Sequence, residues 1–323
     1  MWQYIIKRIL LTFPVLCIVS LFTFSILHLS PGDPATVLLG GEYLSFASIE
    51  DIEEARRALG VDKPLISQYW EWISGIFQGD FGHSLFTGNS VIKLISYGVE
   101  ASVTLMFTSI FISLGLGIPL GVIAGWKMNS AIDRSVMIFS VFGFSIPSFW
   151  LASGIIYIFC IKLGWFPVFG FRSVISDDFD DFLLHITLPT ITLTFGYIAL
   201  ITRMTRSSMI EVLSEDYIRT ARSKGLKEII ILIRHGLKNA SMPIVTIVGF
   251  VLATAFTGTI IVEQVFAIQG MSIAFLDAVS SRDFPVIQGF MMLFGSVYVF
   301  INLIIDILYA YLNPKIRYQN VKY

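Results

Sequence analysis

The stretch from Ala101 to Trp126, ASVTLMFTSIFISLGLGIPLGVIAGW, runs for 26 residues without an Asp, Glu, Lys or Arg. A helix needs about 20 apolar residues to cross a hydrocarbon core roughly 30 Å thick. Five further uncharged runs are nearly as long or slightly longer: Ile9–Gly32, Ser135–Ile161, Phe182–Thr202, Asn239–Val262 and Phe284–Ile305. They are apolar on all sides, without the alternation that a barrel strand requires. Six membrane-crossing helices are therefore expected. The next longest gap, Gln264–Leu276, has 13 residues and suits a re-entrant or interfacial piece.

Composition agrees. Of 323 residues, 55% are hydrophobic and 14% charged, against about 25% charged in an average soluble domain. Mean hydropathy is +0.77. A net charge of −1 argues against a nucleic-acid partner, which a basic face would serve. Two cysteines exclude a disulfide scaffold. Cys17 and Cys160 lie inside apolar runs and read as inert packing. The first run follows Lys7 and Arg8, as in a signal peptide, but it exceeds the usual apolar length and no Ala-x-Ala site follows. It is expected to remain as the first helix.

Charge distribution orients the chain. With the N-terminus inside, segments 1–8, 127–134, 203–238 and 313–323 carry 15 Lys and Arg, and the outer segments carry 7. This bias predicts both termini in the cytoplasm. The long outer segment has two helical signals. One runs from Ser48 to Leu59 and stops at Gly60; the other follows Pro64 with Leu65, Tyr69, Trp72, Ile73 and Ile76 on one stripe. That stripe suits either the outer membrane interface or a helix capping the bundle. The cluster Asp177, Asp178, Asp180 and Asp181 reads as a solvated loop, since no glycine follows at calcium-loop spacing.

Chemistry-bearing motifs are absent. There is no Gly-Lys-Ser/Thr phosphate loop, no His-Glu-x-x-His and no Gly-x-Ser-x-Gly. His28, His83, His185 and His235 fall in four different segments. His28, His185 and Asp306 are ionisable groups near span ends, candidates for a pathway or for interfacial snorkelling. Pro119, Pro147 and Pro189, with Gly115, Gly117 and Gly121, are expected to kink or closely pack helices. A membrane-embedded enzyme would need a polar catalytic set inside the spans, and none is visible.

The inner segment 203–238 is built differently. Ser214 is placed to cap a helix whose first turn holds Glu215 and Asp216. Tyr217, Ile218, Arg219, Thr220 and Ala221 follow; Arg222 and Lys224 fall in its last turn, and Gly225 supplies a left-handed stop. A second helical stretch starts at Lys227. Two readings compete: an amphipathic linker lying on the membrane surface, or an element that docks in a partner's groove, with the small Ala221 easing entry. A receptor or channel would not need the latter.

This stretch, Glu215 to Gly225, resembles the cytoplasmic coupling loop of ABC importer permeases, in particular the dipeptide/oligopeptide/nickel branch and its B-type subunit. Pro31-Gly32-Asp33-Pro34, Leu59-Gly60-Val61-Asp62-Lys63-Pro64, Gly79-Asp80-Phe81-Gly82-His83-Ser84, Val262-Glu263-Gln264-Val265-Phe266, Arg282-Asp283-Phe284-Pro285-Val286-Ile287-Gln288-Gly289 and Leu312-Asn313-Pro314-Lys315-Ile316-Arg317-Tyr318 resemble that branch in the same order. The family loop reads Glu-Ala-Ala, three residues, Gly; here Arg219, Thr220 and Ala221 occupy the first three positions, and only the last alanine is kept. The resemblance implies an all-α, type I importer permease fold. It divides the chain into a first helix (1–32), an extracytoplasmic loop with short helices (33–100), a permease core with its coupling loop at 203–243 (101–312) and a tail (313–323). It implies partners: a second homologous permease forming a heterodimer, two ATP-binding cassette ATPases that hold ATP and Mg, an extracytoplasmic substrate-binding protein, and membrane lipid, with no nucleic acid. It implies a multi-pass subunit of the inner (cytoplasmic) membrane with no ATPase site or cofactor of its own. The implied cargo is short peptides, with nickel or another metal chelate, or glutathione-like compounds, as alternatives.

Overall fold

A computed structural model describes residues 2–29, 34–39, 49–175 and 178–312. Pro31 to Asp33, Ser48, Asp177 and the tail from Asn313 lie outside the described residues. Helices are α1 (Trp2–Leu29), α2 (Pro34–Leu38), α3 (Ile49–Leu59), α4 (Leu65–Phe77), α5 (Val91–Trp126), α6 (Ala131–Ser145), α7 (Ser148–Lys162), α8 (Phe179–Leu213), α9 (Asp216–Ser223), α10 (Glu228–Val265), α11 (Met271–Ser281) and α12 (Phe284–Leu312). Among the described residues there is no strand beyond one isolated bridge, His83 to Ser90. Hydrocarbon offers the backbone no partners, so each segment satisfies its own amides by helix formation.

Five helices are long and apolar enough to cross a membrane: α1, α5, α8, α10 and α12. The expected third span departs from a single rod. It is split into α6 and α7, bent by 100°, and counts as a sixth span only if the two halves form one broken crossing. The cause is local. Pro147 bars the helical region to the residue before it, and Ile146 is extended at φ −79°, ψ 121°. Pro119 and Pro189 sit within unbroken α5 and α8.

The chain divides into two compact units. One comprises 1–8, 101–269 and 301–323; the other 9–100 and 270–300. In the first, α8 packs against α6, α7 and α10. The approach of α5 to α8 is set by glycines one turn apart. A Cβ at Gly121 would sit 2.5 Å from Thr205 Cβ, and one at Gly125 would sit 2.7 Å from Met209 Cβ. Between them the two helices exchange hydrogen bonds, such as Thr202 Oγ1 to the Gly117 carbonyl at 3.2 Å. Arg8 pairs with Asp306 at 2.8 Å in this unit, which gives that carboxylate a fixed partner at its span end.

In the second unit α4 turns Tyr69, Trp72 and Ile73 inward. The Tyr69 hydroxyl lies 2.8 Å from Ser20 Oγ of α1, and Phe24 stacks edge-on against Tyr69. These contacts pack the stripe against α1. Leu65, which opens the stripe, is exposed. The gap 264–276 holds the end of α10, a turn and the start of the short apolar α11. In the first unit, His185 Nδ1 lies 2.8 Å from the Asp181 carbonyl, and Asp181 also pairs with Arg172. His28 is exposed, its ring beside Phe24.

Candidate functional site: a docked helix at the end of α8

The segment from Ser214 to Leu237 is a short helix folded back on its own chain. The start differs from the expectation. Ser214 does not cap α9; it ends α8, and its hydroxyl bonds to the Glu211 carbonyl at 2.7 Å. Glu215 takes the cap position with extended backbone, and Asp216 opens α9, where the macrodipole favours its charge. Thr220 Oγ1 bonds to the Asp216 carbonyl.

The end of α9 follows the expectation. Gly225 has φ +74°. Its N–H bonds to the Arg222 carbonyl at 2.9 Å, and the Leu226 N–H reaches the Ala221 carbonyl at 3.4 Å. This pair of bonds is a Schellman stop, in which the left-handed residue closes the helix. Lys224 is the last residue before it.

One face of α9 is closed. Ile218 and Ala221 are buried with Ile231 and partly with Leu213. The small side chain of Ala221 lets α9 lie close against its own chain. The other face is open: Glu215, Asp216, Tyr217, Arg219, Thr220, Arg222 and Lys224 are exposed. Arg219, with 78% of its side chain exposed, makes only a 3.5 Å pair with Asp216. Arg222 bonds Glu228 at the head of α10 at 2.8 Å, and this bond pushes its guanidinium pKa upward. The open face thus carries both charge signs and a tyrosine.

The second helical stretch is continuous with the next span, Glu228–Val265 forming one helix with a π-helical turn at Ile231–Leu237. That turn clasps α8 through Met209. Met209 has no exposed surface, and its Cε would meet a Cβ at Gly236 at 2.8 Å. Leu232, Ala240 and Ile244 complete this cluster.

Two buried carboxylates of the first unit were not singled out in the sequence. Asp133 is 3% exposed and takes both Nε and Nη2 of Arg206, the latter at 2.8 Å, and the Asn129 N–H at 2.9 Å. It fastens the turn before α6 to α8, one turn from Met209. Glu263 is fully buried and accepts from Ser102 Oγ at 2.6 Å. The Ser130–Asp133 cap spacing was visible in the sequence; the partner 73 residues away was not.

A profile of the binding-protein-dependent transport system inner membrane component matches residues 117–318, and a profile of the N-terminal part of such membrane components matches 1–108. The chain belongs to this family. It is a permease subunit of an ABC importer, a multi-pass protein of the inner membrane. Curated relatives span its full length. A probable peptide ABC transporter permease, y4tP of Sinorhizobium fredii, is 40% identical over 98% of this chain and 100% of its own. The glutathione transport system permease GsiC of Escherichia coli K12 is 40% identical over 99% of this chain and 100% of its own. A solved inward-facing structure of the MetNI methionine ABC transporter superposes with a TM-score of 0.55 at 18% identity, covering 69% of this chain and 97% of that one. The fold is that of a type I ABC permease. Members of the family work with ATPase and substrate-binding partners, and the ATPases use the ATP.

Proposed function

We propose that this permease forms part of a translocation pathway for short peptides, and that the exposed face of α9 is where the ATPases dock. The supporting observation is the two-sided build of α9. Its apolar side is tied into the permease by Ile218, Ala221 and Ile231, while Asp216, Tyr217, Arg219, Thr220, Arg222 and Lys224 are exposed. An element so fixed transmits force, where a loose loop would absorb it. In this reading ATP and Mg close an ATPase dimer, α9 moves with it, and the helices rock between inward-open and outward-open states. The assembly is a heterodimer of this chain with a second homologous permease, plus two ATPases and an extracytoplasmic binding protein. Both termini lie in the cytoplasm, and 33–100 is extracytoplasmic. The domain limits given above, with the core at 101–312 and coupling loop at 203–243, follow from the same reading.

Short peptides are placed first because full-length relatives at 40% identity are named for peptide and for glutathione transport. Glutathione is itself a γ-linked tripeptide. The test is uptake by the reconstituted transporter with its binding protein, using a labelled dipeptide against excess dipeptide, glutathione and a nickel chelate. Competition by dipeptides at the lowest concentration is expected. Competition by glutathione alone moves the cargo to γ-linked peptides, and competition by the chelate alone refutes the peptide reading.

A further inference from the structure

Three signature stretches play no part in the coupling loop, and the second unit gathers them around one cavity of about 500 Å³. Gly60 and Val61 come from the first stretch, Phe81 to Ser84 from the second, and Phe284, Pro285 and Gln288 from the third. The frame is held by a buried carboxylate. Asp283 is 4% exposed and accepts from Ser84 Oγ at 2.5 Å and from the Leu85 N–H at 3.1 Å. The Ser84 N–H in turn bonds to the Asn89 carbonyl, and the Val91 N–H bonds to the Gly82 carbonyl, so the hairpin 82–91 is fastened to the head of α12.

The walls are aromatic, with Phe24, Trp72, Phe81 and Phe284 among them. Two amides punctuate them. Gln288 is 6% exposed, and its Nε2 is enclosed without a hydrogen-bond acceptor among the described residues. Leaving such a donor unpaired is costly, and native structures seldom do so without reason. Gln68 is fixed the other way round. Its Nε2 donates to the Val61 carbonyl at 3.1 Å and the Lys63 carbonyl at 2.7 Å, which leaves Oε1 as an acceptor. Lys63 itself is engaged by both oxygens of Glu71 at 2.8 Å. Among the lining residues only the His83 imidazole could carry positive charge, and Glu71 is an anion. Phosphates and free carboxylates are therefore poor ligands. A donor, an acceptor and aromatic walls within the roughly 300–1,000 Å³ typical of small-ligand sites fit a neutral group that both accepts and donates.

We propose that this cavity binds a secondary amide flanked by an aromatic or branched apolar group, with Gln288 donating to its carbonyl and Gln68 accepting from its N–H. None of the lining residues belongs to the segment 203–243. A free peptide and a projecting loop of the binding protein both present such a group.

The test uses the full transporter in nanodiscs, with N-acetyl-L-phenylalaninamide as probe and calorimetry as readout. Saturable binding is expected, weaker for N-acetyl-L-phenylalanine, whose carboxylate meets no free cation. Gln288→Leu should lower affinity by about tenfold or more. Its thermal midpoint should hold or rise, because an unpaired buried N–H is removed; a merely structural Gln288 would lower it. Val61→Trp, which fills the cavity, should abolish binding with assembly intact. Displacement of the probe by the binding protein assigns the amide to a docked loop, and displacement by free peptides assigns it to them; either supports the proposal. Equal affinity in wild type and Gln288→Leu, or no saturation at millimolar probe, overturns it. So does native mass spectrometry finding a phospholipid held by the wild type and lost in Val61→Trp, which would make the cavity a lipid site.

Discussion

Gly225 offers the sharpest test of the docking role proposed for α9. It holds φ +74°, and among the described residues nothing lies within 4 Å of where a Cβ would stand. A substitution there meets no neighbour, so its whole effect is backbone strain. A left-handed L-residue costs roughly 1–2 kcal/mol, and a β-branched one fares worst. That strain opposes two hydrogen bonds, from Gly225 to Arg222 and from Leu226 to Ala221, the latter already long at 3.4 Å. A bias of 1–2 kcal/mol changes a population about 5–30-fold. If the ATPases bind only the native turn, Gly225→Val should weaken their binding by about that factor, with membrane insertion unchanged. Gly225→Asn, whose side chain tolerates the left-handed region, should stay near wild type. The assay is titration of ATPase subunits onto nanodisc-embedded permease, paired with uptake. Wild-type affinity and uptake in the valine variant would refute the docking role. Equal impairment of valine and asparagine variants would refute the conformational argument.

Three further outcomes are expected. Single cysteines at Asp62 and Lys227 should react with impermeant reagent from outside and inside respectively, and the reverse pattern would sink the both-termini-inside topology. Gly121→Val should lower thermal stability in detergent by roughly 1–3 kcal/mol, because its Cβ would sit 2.5 Å from Thr205 Cβ and 2.7 Å from the Thr202 carbonyl, whereas Gly115→Val, with no neighbour within 4 Å, should be close to neutral. A double-mutant cycle on Arg222→Ala and Glu228→Ala should give a coupling under about 1 kcal/mol in the free permease, since both side chains keep a third or more of their surface in water; a larger value would mean that the pair is structural.

The spans were legible because a hydrocarbon core forbids charge, and a gap between charges is the direct trace of that rule. Their ends were not. Lys93 and Glu100 lie inside α5, and Arg203, Arg206 and Glu211 inside α8, because helical hydrogen bonding continues past the membrane surface while the charge rule does not. The break at Ile146 shows the converse. No charge marks it, and only the restriction that Pro147 places on its neighbour encodes it. In the segment 214–237, Gly225 was readable from a local rule. Ser214 misled because Ser, Glu and Asp can each precede a helix, and which one caps depends on where the previous helix stops. The pairs Asp133–Arg206 and Ser84–Asp283 are joined across 73 and 199 residues. No periodicity within one segment could have named them.

How α9 could move the spans follows from what leaves it no slack. Two residues, Ser214 and Glu215, join α8 to α9, and four, Lys224 to Lys227, join α9 to α10. Connectors so short cannot take up a displacement on their own. Beneath them, Ile218 and Ala221 rest on Ile231, which belongs to the π-helical turn of α10. Met209 fills the remaining space with glycine on two sides, Gly125 of α5 and Gly236 of α10. Close-packed interiors compress little and transmit strain. A push on the open face of α9 therefore reaches the ends of α5, α8 and α10 together, and Asp133 passes it from α8 to the start of α6 through Arg206. A π-helical turn is the weakest place in such a train, since its hydrogen bonds span five residues and such turns recur at functional sites. The physical expectation is that bending concentrates at Ile231–Leu237 while α8 moves as a rod.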